Sequence, residues 1–186
     1  MPPRRVDLGD GLLLRAFRVS DADALADAVR LSLDHLRPWM AWADNGSADP
    51  AFQRRRLVTV EQQWERREEF QYGLFAADDP RVLGSFGLMT RRGRGRLEIG
   101  YWVRVDETGH GYATRAAAAL TDVALAQRRI AQVLIYTDEA NLKSSSIPKK
   151  LGYELLRVDE EPKTAPAETG RLQVWGRTTP IDDTQT

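Results

Sequence analysis

Leu97-Glu98-Ile99-Gly100-Tyr101-Trp102-Val103-Arg104-Val105-Asp106-Glu107-Thr108-Gly109-His110-Gly111-Tyr112-Ala113-Thr114 is the stretch whose reading decides the fold. Its first seven residues are rich enough in aromatic and β-branched side chains for a strand, and its middle is a turn with two glycines. Its end opens a helix, since Ala113, Ala116, Ala117, Leu120, Val123 and Ala124 recur at helical spacing. A strand that runs through a glycine turn into a helix is a cradle for an anion. The first N–H groups of a helix lack intrahelical partners and carry partial positive charge, and glycine lets a phosphate approach them. The chain has neither a G-x-x-x-x-G-K-[ST] phosphate loop nor a G-x-G-x-x-G at a first βαβ unit.

Reading outward, Leu12 to Phe17 is a short strand, and Ser20 with Asp23 has the spacing of a capping box for a helix that ends near Leu36, before Pro38. A second helix is expected from about Asp49 to Glu68, with Phe52, Val60 and Trp64 on one face. Phe70 to Ala77, Val82 to Thr90 and Leu97 to Val103 read as three successive antiparallel strands. After the alanine-faced helix come a strand at Ile130 to Thr137, a short helix at Asn141 to Lys150, and strands at Gly152 to Val158 and Leu172 to Thr178. The acidic segment Asp159 to Gly170, with two prolines, is expected as a long exposed loop.

The 186 residues suit one domain, here residues 1–178 followed by a flexible tail at 179–186. Lys and Arg number 27 and Asp and Glu 27, so no net field draws the chain to DNA or to an anionic membrane. Cysteine is absent and histidine stands only at 35 and 110, which leaves no zinc set, thiol nucleophile or disulfide framework, and no metal is expected. Met1 to Asp10 lacks the apolar run of a signal peptide, and no stretch approaches a membrane span, so a cytoplasmic location is expected.

The run from Thr108 to Ala113 resembles the Q/R-x-x-G-x-G/A acyl-CoA signature of the GNAT acyltransferase superfamily, with Thr108 where Gln or Arg is usual. Asn141-Leu142-Lys143-Ser144, then Lys150-Leu151-Gly152-Tyr153, is similar to the family's N-x-x-S/A…K-L-G-F/Y segment. With Leu97 to Trp102, the pattern resembles the RimJ/RimL type of N-acetyltransferase. The resemblance implies a single GNAT-like α/β (α+β) domain, with a mostly antiparallel mixed sheet of about seven strands flanked by about four helices. It implies acetyl-CoA as co-substrate, held by Trp102, Val103, Thr108, Gly109, His110, Gly111, Tyr112, Ala113, Thr114, Asn141 and Ser144. The acceptor is then a primary amine, on a protein N-terminus or on a small molecule such as an antibiotic. A homodimer is compatible with this reading, and a non-catalytic acyl-CoA-binding regulator is the alternative on the same fold.

Acetyl transfer to an amine needs a neutral nucleophile, a polarised carbonyl and a proton for the thiolate. Glu98 is the first candidate for base, because burial in an apolar strand makes a carboxyl a better proton acceptor; Asp138 and Glu139 stand in reserve. Many GNAT enzymes place a Tyr seven residues after the position of Asn141. Here that position is Pro148, which leaves Ser144 as the candidate hydroxyl and frees the Ser144 carbonyl from its helical donor. Trp39, Trp42 and Trp64, with Asp138, are expected to line the acceptor site, where aromatic faces near Asp44 suit a cationic amine. Arg54 to Arg56 and Arg91, Arg92, Arg94 and Arg96 read as solvated surface.

Overall fold

The computed structural model describes residues 1–178, and the tail expected at 179–186 lies outside them. In chain order the described residues form β1 (Arg5–Gly9), β2 (Leu12–Ala16), α1 (Ala22–Leu36), α2 (Pro50–Glu65), β3 (Glu69–Ala76), β4 (Gly84–Met89), β5 (Arg96–Val103), α3 (Tyr112–Leu125), β6 (Gln132–Asp138), α4 (Leu142–Lys150), β7 (Glu154–Glu160) and β8 (Arg171–Thr178). One sheet carries all eight strands in the order β1-β2-β3-β4-β5-β6-β8-β7. Every neighbouring pair is antiparallel except β5 with β6. The single parallel pair needs a crossover, and α3 supplies it.

The sheet has one strand more than the seven expected. β1 alternates exposed and half-buried residues along a sheet edge, so it lacks the apolar run by which β2 is legible. Its hairpin turns through Gly9, Asp10 and Gly11, all at positive φ, and the Arg115 guanidinium on α3 donates to the Leu8 and Gly9 carbonyls at 2.7 and 3.1 Å.

Alternation along the strands sorts the core onto two faces. Leu14, Tyr72, Leu74, Phe86, Leu88, Leu97, Ile99, Val133 and Ile135 pack with Ala116, Leu120 and Ala124 of α3. Leu13, Phe17 and Phe75 pack on the other side with Leu25, Ala28 and Val29 of α1 and Leu57 and Val60 of α2. The inner face of α2 is Gln53, Leu57, Val60 and Trp64, whereas Phe52 is exposed and does not share the face expected for it. α1 starts at Ala22, and the reciprocal cap is Asp21 rather than Ser20: its carboxylate accepts from the Arg18 N–H at 2.7 Å and from the Arg15 guanidinium. No helix among the described residues is long and apolar enough to cross a membrane.

Under α3, the Tyr153 hydroxyl lies 2.7 Å from Thr121 Oγ1, which itself donates to the Ala117 carbonyl at 2.7 Å. Thr121 is fully buried, so Thr121→Val would strand the phenol, whereas Tyr153→Phe leaves Thr121 bonded to its helix. Thr121→Val is expected to cost about 1–3 kcal/mol and to lower Tm by about 2–4 °C for each kcal/mol, more than Tyr153→Phe does. Paired thermal melts check the ordering.

Candidate functional site

The β5–β6 ladder runs from Arg96↔Gln132 to Ile99↔Ile135 and stops there. Beyond that rung β5 continues through Val103 against β4 alone, and β6 continues through Asp138 against β8 alone. The sheet therefore opens between them, and each strand presents an inner backbone edge without a strand partner. Buried backbone edges are normally paired, so an opening inside a sheet is a place for a ligand with amide groups of its own.

The glycine turn lies at the open end. Val105 N–H donates to the buried Ser32 hydroxyl of α1 at 3.0 Å, and Thr108 Oγ1 donates back to the Val105 carbonyl at 2.8 Å. Gly109 and Gly111 have φ of 88° and 76°, and a Cβ at either would meet nothing within 4 Å. The requirement for glycine is thus conformational, and the space in front of the turn is open. Gly111 is the N-cap of α3 and gives it no side-chain hydrogen bond, so the amides of Tyr112, Ala113 and Thr114 face outward as an anion site requires. His110 is exposed and stacks on Tyr112, with ring centroids 5.4 Å apart.

On the α3 side, α4 borders the opening. Asn141 caps it, its side-chain oxygen accepting from Ser144 N–H at 3.1 Å. The carbonyl that Pro148 leaves without a helical donor is met from across the gap: the Tyr101 hydroxyl of β5 donates to Ser144 O at 3.3 Å, and Ser144 Oγ donates to that hydroxyl at 3.4 Å. Burial pushes the Tyr101 phenol up to about 12, so it keeps its proton at neutral pH. Tyr101 is the residue that sequence reading missed. Its place in the strand was legible, but its partner stands 43 residues away.

Glu98, Gly100 and Trp102 point to the opposite face. Glu98 is 3% exposed, and both its oxygens are bound: Arg91 donates to each, with Nε at 3.1 Å from Oε2, and Arg92 Nε donates to Oε2. Arg91 remains mostly solvated as expected while pairing with Glu98, whereas Arg92 is folded back onto the sheet and only half-exposed. Trp42 is 44% exposed and lies 6.1 Å from Trp102, ring to ring; Trp39 is half-buried in the same α1–α2 connection. Trp64 does not reach an acceptor wall. It is 1% exposed, edge-on to Phe70 and Tyr72, because the last turn of α2 carries it into the α3-side core.

Asp138 is buried and accepts from the N–H groups of Ala140, Thr169 and Gly170 and from the Thr169 hydroxyl. Burial pushes its carboxyl up, but the Ala140 and Thr169 contacts outweigh burial and hold it below the ordinary value. Glu139 pairs with Arg171 at 2.8 Å. The β7–β8 segment that Asp138 anchors is less exposed than expected: Ala165 is buried, and Ala167 N–H donates to the Pro38 carbonyl at 2.9 Å, tying the loop to the Trp39 connection.

The acetyltransferase (GNAT) domain family matches residues 11–154 of this chain. YdaF of Bacillus subtilis (strain 168), provisionally named a ribosomal N-acetyltransferase, is 25% identical over 147 residues, which cover 78% of this chain and 79% of YdaF. Among solved structures, the microcin C7 self-immunity acetyltransferase MccE, in complex with acetyl-CoA and AMP, superposes with a TM-score of 0.86 at 15% identity over 95% of this chain and 97% of its own. RimL, a ribosomal alpha-N-protein acetyltransferase in complex with coenzyme A, gives 0.83 at 16% identity over 94% and 97%. At those identities the two structures establish the fold.

Because the native Asp138 carboxyl binds its proton more weakly than an unfolded one, its contribution to stability is fully present above about pH 5 and is lost as pH falls through its lowered value, beneath about 4. Asp138→Asn is expected to lower Tm at pH 7, with the gap to wild type closing in acid. Melts across pH 3 to 7 measure it.

Proposed function

The chain belongs to the GNAT acetyltransferase family, and on that premise we propose that it moves the acetyl group of acetyl-CoA directly onto the α-amine of a protein N-terminus, in a ternary complex. The parting of β5 from β6, in line with an uncapped helix start behind Gly109 and Gly111, supports the donor half of this reading. The turn from Thr108 to Thr114 would hold the pyrophosphate, the open edges beyond Ile99 and Ile135 the pantetheine amides, and Asn141 and Ser144 would border that arm. The thioester supplies an activated acetyl carbonyl. Complexes of MccE with acetyl-CoA and of RimL with coenzyme A are in keeping with this placement.

The acceptor half rests on the state of the carboxylates. Glu98 is held in two ion pairs and Asp138 in four hydrogen bonds, so the two buried carboxylates are already engaged by donors, while the half-exposed Glu139 is tied to Arg171 through one oxygen. A site whose buried carboxylates are engaged in this way favours an amine that is already partly neutral. At pH 7.5 about a third of α-amines are unprotonated, against about 0.1% of lysine side chains. A protein N-terminus therefore fits better than an alkylamine, and the names of YdaF and RimL point to ribosomal proteins as the source. Trp42 and Trp102 would flank that chain end, with Trp39 behind them in the same connection. As the amine adds to the thioester carbonyl, its nitrogen releases a proton to water and the thiolate departs, and the Tyr101–Ser144 hydroxyl pair would donate to sulfur.

Thiol release under steady state tests both halves. For peptide acceptors, kcat/KM is expected to rise with pH and level off near the amine's own pKa of about 8, whereas alkylamines keep rising past pH 9. One inflection near pH 6 to 7 for every acceptor would instead reveal an enzyme base.

Tyr101→Phe is expected to lower kcat by about 10²-fold with little change in acetyl-CoA Kd, and Ser144→Ala to do so more mildly. The double variant should be scarcely worse than Tyr101→Phe alone, because the two hydroxyls act as a unit. Kinetics and calorimetry on the three variants decide it.

A further inference from the structure

We infer that the face opposite the thioester carries a specificity site for an acidic group on the acceptor, built from Arg92 stacked on Tyr136, so that the favoured peptide has Asp or Glu within its first three residues. The inference rests on the peptide reading above. Tyr136 is the first β6 residue beyond the last β5–β6 rung, and it alternates with Val133 and Ile135 of the α3-side core. Its ring therefore marks the mouth of the opening on the face from which an acceptor would approach. The Arg92 guanidinium carbon lies 3.8 Å from the centre of that ring, and the Arg92 side chain is 35% exposed. Stacking on an aromatic face holds a guanidinium flat and leaves its N–H fork directed sideways.

The charge at this mouth is unbalanced in one direction. Glu98 is a single carboxylate receiving two guanidiniums, and Arg92 gives it only Nε, so the two Nη groups of Arg92 are not used by Glu98. Across the sheet on β7, Arg157 is neutralised by Asp159, and on the β6 side Asp138 and Glu139 are already occupied. On the same face Glu69 of β3, in register with Glu98 through Met89, acts on Arg91 and also on Arg56. Three guanidiniums (Arg56, Arg91, Arg92) thus stand against two carboxylates, and one positive charge is left over where β5 and β6 part, on a fork that matches a carboxylate. A cationic acceptor, expected from the aromatic residues alone, would meet that charge unfavourably; an acidic one would complete it. Arg91 cannot take this part, because its Nε and Nη2 both serve Glu98.

The test compares three peptides that share an N-terminal serine and differ only at the second residue, Glu, Gln or Lys. Binding to the enzyme–coenzyme A complex is measured by calorimetry, and KM by thiol release. The Glu peptide is expected to bind at least about tenfold more tightly than the Gln peptide and the Lys peptide more weakly still, with the spread shrinking as salt is raised. Arg92→Gln should abolish the spread with coenzyme A affinity retained, and its lower Tm reports only the loss of one of the two partners of Glu98. Arg94→Gln, the same charge change on an exposed arginine of the same turn, should preserve it. Equal binding of the three peptides to wild type, or a spread that survives in Arg92→Gln, overturns the proposal. If no amine is acetylated at all, the acetyl-transfer reading falls, and the calorimetric comparison still decides the acidic site.

Discussion

Ile99 opposite Ile135 is the last rung between two strands that run on for several residues afterwards, and the rest of the site follows from that stop. Ending a ladder inside a sheet leaves backbone donors and acceptors that water or a ligand must satisfy. Most proteins avoid this in the middle of a sheet. Here the cost is tolerated at the one parallel junction, where the crossover helix also begins, so the unpaired edges and the unpaired helix amides open toward the same space. A ligand that is anionic at one end and amide-bearing along its length matches that sequence of groups.

Keeping the opening in shape falls to buried polar contacts. Thr137 on β6, Ser145 on α4 and Gln173 on β8 are mutually hydrogen-bonded, and Trp175 Nε1 donates to Thr137 Oγ1 at 3.1 Å. Such a network is worth having only when every member is satisfied, and it fixes the height of α4 above the strands. Ser144 inherits its position from Ser145 next to it. On the far side the Ser32 hydroxyl of α1 fixes the start of the connection to the glycine turn.

The strands and helices with strong periodicity were legible because their patterning is local. β1 is not, since its alternation rests on only two apolar residues, Val6 and Leu8, in a short edge strand, and the α2 face departs from its pattern because Phe52 is apolar yet exposed while Gln53 is polar yet buried. In the site, the glycine turn and the Asn141 cap were readable from adjacent residues. The surroundings of Glu98 were not: its burial followed from the strand, but the two arginines that hold it come from a turn whose run of basic residues reads as solvent-facing. Trp64 failed for the converse reason, because an aromatic residue near a helix end has the same spelling whether it lines a cleft or fills a core.

Pro148 shows how one missing donor redistributes a role. A proline inside α4 cannot give an N–H to the Ser144 carbonyl, and a carbonyl at the edge of a half-buried opening is a costly group to leave unmet. The phenol of Tyr101 meets it, and to do so it must cross from β5 to α4 over the gap between the strands. A hydroxyl is thus carried to the opening by the strand that bounds it, and a helix residue accepts from it. Any movement that widens the gap between β5 and α4 would break that hydrogen bond and release the phenol as a donor. On the acetyl-transfer reading, structural repair of the helix and supply of a proton would then be alternatives for one hydroxyl.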